Sequence, residues 1–124
     1  MTRDAAIANA ETYYDKGGFY EDLARRVAIM TESQNPERRG ELERYLTQEM
    51  TPTLDALGFT CRVLPNPASN GGPFLYAERI EDPALTTVLT YGHGDVIRGQ
   101  ETQWRAGLAP WEIKPEGDRV YGRG

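Results

Sequence analysis

Helices layered on a sheet, an α/β architecture, are predicted for this 124-residue chain by three features. Two apolar stripes at helical spacing fall within residues 19–33 and 36–57. Three short runs of strand character follow at 59–64, 74–80 and 86–91. The last, Thr86-Thr87-Val88-Leu89-Thr90-Tyr91, is the most apolar and is rich in β-branched residues, the pattern of a central strand covered on both faces. Helices followed by a strand set with one buried member define the α/β layer class.

The elements follow in chain order. Residues 4–16 are alanine-rich and end at Lys16-Gly17-Gly18, which predicts a short helix closed by glycine. Phe19, Leu23, Val27 and Met30 then mark one face of a helix. That helix should end before Pro36, whose ring disfavours helical geometry in the residue before it. Asn35-Pro36-Glu37 restarts a helix, with Asn as cap, Pro in the first turn and Glu at the positive helix end. Leu42, Leu46, Met50, Leu54 and Leu57 continue it to Gly58. Pro52 interrupts the pattern and predicts a kink near Gln48. Phe59 to Leu64 alternates as a half-buried strand, with Cys61 on the same face as Phe59 and Val63, a packing residue before it is a ligand. Pro65 to Pro73 reads as a loop, Phe74 to Ile80 as a second strand and Glu81-Asp82-Pro83 as a second connection.

Composition narrows the class. A hydrophobic fraction of 39% and a charged fraction of 27% are globular values. No apolar stretch is long enough to cross a membrane. The start Met1-Thr2-Arg3-Asp4 lacks the apolar core of a signal peptide, and the single Cys61 suits a reducing compartment; both predict a cytoplasmic protein. A net charge of −5 with no basic cluster argues against a nucleic-acid surface.

The chemistry concentrates after the third strand. His93, the one histidine, lies in Tyr91-Gly92-His93-Gly94-Asp95-Val96. Side chains two residues apart at a strand end point the same way. The imidazole can therefore bind a metal while the Asp95 carboxylate orients it. The plain alternative is a surface histidine beside a loop aspartate. Trp104, the pair Pro110-Trp111, a turn at Glu116-Gly117-Asp118 and the run Tyr121-Gly122-Arg123-Gly124 follow.

In this order and spacing these segments resemble the di-zinc peptidase family that includes acetylornithine deacetylase, succinyl-diaminopimelate desuccinylase, aminoacylase, carboxypeptidase G2 and carnosinase-type dipeptidases. The shared pattern is an apolar strand, Gly-His-x-Asp-Val, a loop with Trp and a Pro-aromatic pair, a hairpin and Tyr-Gly-Arg-Gly. Arg98-Gly99 departs from the proline-bearing loop of many members, and Trp111 stands where Phe is commoner. Both departures blur the substrate subgroup more than the family.

The resemblance implies a mixed sheet between helices, with two zinc ions (or cobalt or manganese) at the carboxyl ends of its central strands. It implies that His93 is a metal ligand and that Asp95 is a catalytic residue tuning the site beside it. The family's bridging aspartate, its Glu-Glu pair with the catalytic base, a further carboxylate and a distant histidine all follow Tyr-Gly-Arg-Gly. Residues 1–124 are therefore expected to be the N-terminal portion of the catalytic domain, inactive alone. The full-length protein is expected to hydrolyse an amide of a small peptide or N-acyl amino acid. A homodimer through a domain absent here is implied as well. The rivals are a non-catalytic relative serving as a binding or scaffolding protein and an unrelated α/β module with a chance His-x-Asp. Trp104 and Trp111 are expected to anchor loops, Arg25-Arg26 and Arg38-Arg39 to be solvated helix faces, and Tyr13, Tyr14 and Tyr20 to be ordinary helix aromatics. The family's first interhelical loop borders its site, which leaves an approach of Glu32 open without making it the expected one, and Arg123 is expected to hold its loop through backbone carbonyls.

Overall fold

A computed structural model describes residues 2–68 and 71–124. Ser69 and Asn70 of the expected 65–73 loop, and Met1 of the opening segment, lie outside the described residues. The elements are α1 (Arg3–Asp15), α2 (Gly18–Val27), α3 (Arg39–Arg44), α4 (Thr51–Ala56), β1 (Thr60–Leu64), β2 (Phe74–Glu78), β3 (Lys114–Glu116) and β4 (Arg119–Tyr121). They divide into two compact units, Met1–Ala28 with Glu101–Gly124, and Ile29–Gln100.

In the first unit Thr2 caps α1 by accepting from the Ala5 amide, and Gly17 at φ 84° lets the chain turn into α2. Asp22 pairs with Arg25 and Arg26 one turn on, and it also accepts from the Tyr13 hydroxyl of α1. These arginines are thus paired on their helix face. Val27 and Ile113 are buried, and Gly122 lies so close that a Cβ there would sit 3.0 Å from Ile113 and 3.3 Å from Val27. Strands β3 and β4 pair antiparallel across the expected turn, with Gly117 at φ 62°. Trp111 donates to Glu101 at 3.0 Å, and the Arg123 guanidinium lies 5.3 Å from the centre of the Trp104 ring. The Arg123 amide donates to the Pro110 carbonyl at 2.8 Å, so main chain as well as side chain ties this loop down.

In the second unit the helical run from Pro36 to Ala56 begins with Asn35 accepting from the Glu37 amide. The expected disturbance near Gln48 takes the form of a π-helical stretch, Tyr45–Met50, immediately before α4. Pro52 has no amide hydrogen and its ring crowds the carbonyl four residues back, so the ladder widens and Thr51 donates its hydroxyl to the Leu46 carbonyl at 2.8 Å. Strands β1 and β2 form an antiparallel pair with Cys61 opposite Ala77 and Val63 opposite Leu75. Cys61 is half-buried; partial desolvation and a hydrogen bond with Asp55 push its thiol pKa up, which suits a packing residue better than a ligand.

Two expectations are corrected. The helix of residues 19–33 stops at Val27, because Thr31 to Ser33 leave the helical ladder and pair with Val96 instead. Residues 86–91 form no strand, and the mixed sheet around them is absent among the described residues. The two sheets are antiparallel pairs, and the one parallel contact is the isolated bridge of Glu32 with Val96. The physical reason is pairing: β1 and β2 pair with each other, and 86–91 pairs with neither of their outer edges. Its apolar side chains remain in solvent, Leu89 at 92% exposed. The chain is therefore a mixture of helices and small antiparallel sheets. No helix among the described residues is long and apolar enough to cross a membrane.

Candidate functional site

His93 and Asp95 lie in an irregular segment of the second unit, after the exposed run and before Val96. Although no strand imposes alternation here, the two side chains meet. His93 Nδ1 lies 3.3 Å from Asp95 Oδ1 and 3.1 Å from the Asp95 main-chain oxygen. Both neighbours are acceptors, so Nδ1 is the ring nitrogen placed to donate, and Nε2 lies on the other side of the ring. The imidazole is 67% exposed, and Nε2 faces no hydrogen-bond partner among the described residues. Donor chemistry fits a metal at Nε2, since a ligating histidine characteristically gives its other N–H to a carboxylate or carbonyl. In number the donors fall short. Among the described residues no group of three His, Cys, Asp or Glu side chains gathers closely enough to hold an ion.

The turn is fixed from behind. The Thr31 hydroxyl donates to the Gly94 carbonyl at 2.6 Å. The Val96 amide donates to the Thr31 carbonyl at 2.9 Å, and the Ser33 amide to the Val96 carbonyl at 3.1 Å. Gly94 abuts the Tyr45 ring so closely that any Cβ would collide with it. Glycine is thus required between His93 and Asp95 for space. Glu32, 5% exposed, accepts from the Gly99 amide at 2.7 Å and from Asn35 Nδ2 at 3.0 Å, with Arg38 Nε 3.7 Å away. Arg98 adds a bond to the Gln34 carbonyl at 3.1 Å. Arg38, expected on a solvated face, is therefore also a partner of a buried carboxylate.

Thr31 and Tyr45 were not singled out by the sequence. A β-branched residue where the α2 stripe fails is a faint signal for Thr31, and Tyr45 carries none. Trp104, Trp111 and Arg123 belong to the first unit and bond within it. No family model matches the chain, and no solved structure matches it.

Proposed function

We propose that these residues belong to the N-terminal part of the catalytic domain of a metal-dependent amide hydrolase, acting on a small peptide or N-acyl amino acid in the cytoplasm. The observation that carries this reading is the Asp95–His93 pairing, which presents Nε2 outward from a turn held by Thr31, Glu32 and Tyr45. The resemblance of Gly92-His93-Gly94-Asp95-Val96 and Tyr121-Gly122-Arg123-Gly124 to the di-zinc peptidases supplies the reaction class.

His93 would hold the metal through Nε2, with the further ligands and the base being those the resemblance implies. A bound zinc would lower the pKa of a water and polarise an amide carbonyl. Asp95 would accept from Nδ1 and so orient the ring plane toward a metal at Nε2. Gly94 lets the turn sit flush on Tyr45.

The test is hydrolysis of a panel of dipeptides and N-acyl amino acids by the full gene product, loaded with zinc. Turnover is expected, and His93→Ala should remove nearly all of it with the circular dichroism spectrum unchanged. Equal turnover by the folded variant would overturn the proposal.

A further inference from the structure

We infer that the π-helical stretch Tyr45–Met50 is a phase adapter: it takes up one residue, so that the helical run keeps a single inward face on both sides of it. The signature is a burial period of four. Residues 41–42, 45–46, 49–50 and 53–54 are buried or half-buried, whereas 43–44, 47–48 and 55–56 are exposed. An α-helix turns about 100° per residue, so side chains four apart drift by roughly 40° at each step. From Leu42 to Leu54 the drift would reach about 120°, which would carry Leu54 off the face that Leu42 defines. One extra residue in the ladder takes back about 100° of it.

The hydrogen bonds locate the extra residue. Thr47 and Thr53 each return a hydroxyl to the carbonyl four residues back, Glu43 at 2.9 Å and Glu49 at 2.8 Å. Thr51 reaches five back, donating both its amide and, at 2.8 Å, its hydroxyl to the Leu46 carbonyl. The widening therefore lies between residues 46 and 51, directly before Pro52, which brings no amide to the ladder. Tyr45 opens the stretch, and its ring abuts Gly94. Were the run to close as a plain α-helix of the same length, Tyr45 would turn about 100° relative to α4 and leave that contact. This consequence follows from the helix alone and needs no ligand at His93.

The experiment changes the length of the run by one residue in either direction, in a full gene product carrying Pro52→Ala so that the ladder is free to close. Deleting Gln48, an exposed residue of the stretch, should leave a plain α-helical turn with both flanks in phase. Its urea midpoint should match that of the Pro52→Ala parent, and the Gly94 α-proton signals, shifted by the Tyr45 ring, should keep their natural positions. Inserting an alanine after Gln48 adds a second residue beyond what one widened turn absorbs. The midpoint should then fall and the Gly94 ring shift disappear. A deletion variant that fails to fold, or that loses the ring shift, overturns the inference, because a run already in phase is damaged by loss as much as by gain. An insertion variant with the parent's midpoint and ring shift overturns it too. A parent that loses the ring shift, with the deletion variant regaining it, supports the adapter.

Discussion

Residues 85–91 and 94–99 are near neighbours in one unit, and the less apolar of the two is the one tied to the rest of it. The first carries Leu85, Val88, Leu89 and Tyr91, all exposed. The second is a glycine-bearing loop whose main chain is bonded to Thr31, Ser33 and the buried Glu32. The difference is supply of partners. An extended segment can leave water only if its amides and carbonyls are met by another edge. Thr31 to Ser33 provide that edge for Val96, whereas no described segment does so for 86–91. A hydrophobic run is thus a demand for a partner strand, and polar anchoring can order a loop that apolarity would leave unplaced.

The comparison can be broken most sharply at Gly94. Gly94→Ala drives a methyl into the Tyr45 ring, and overpacking of this kind costs about 1–3 kcal/mol. Urea unfolding should show that loss, and Gly94→Ala combined with Tyr45→Ala should recover part of it. If Gly94→Ala is as stable as the natural protein, the turn is not held as described. Asp95→Asn comes next. It keeps size and hydrogen bonding but removes the charge beside Nδ1, and should lower metal affinity or turnover by about 10–100-fold with folding little changed. Near-normal turnover with metal bound would contradict the role given to Asp95.

Much of the local architecture was legible in the sequence, because its signals are local. Gly17 and Asn35 mark ends of helices, Pro52 marks the π-helical stretch, and Phe59 to Leu64 alternates before a turn-rich loop. The errors are both non-local. Thr31 meets the Gly94 carbonyl across 63 positions, and periodicity at residues 19–33 cannot reveal that the helix stops to make that contact. The strand expected at 86–91 needed a partner edge, which its own composition could not provide. At the site, His93 and Asp95 are two residues apart and readable together. Thr31 and Tyr45 arrive from elsewhere in the chain and are not. For Glu32 the resemblance gave only a weak pointer, and its bond with the Gly99 amide emerged in three dimensions.

Smaller effects sharpen the contrast. Leu89→Ser removes a side chain that is 92% exposed, so thermal unfolding should shift by no more than the equivalent of about 0.5 kcal/mol. A loss well above that would mean the run is covered in solution. In the first unit, the hydrogen bond from Tyr13 and then that from Arg25 hold the Asp22 carboxyl below its usual range. Its folded value lies below its unfolded one, so the stabilisation is present above the unfolded pKa and fades as pH falls through the lowered folded value. Asp22→Asn should therefore flatten the acid limb of the pH–stability curve, and an identical limb would show that this exposed network contributes nothing.

The most direct measurement of the central claim is X-ray absorption of the zinc-loaded full gene product beside His93→Ala. The His93 imidazole should contribute a nitrogen at roughly 2.0–2.1 Å from zinc, and that scatterer should be missing or the metal lost in the variant. A metal shell with the same imidazole scattering in both proteins would contradict the assignment of His93 as a ligand.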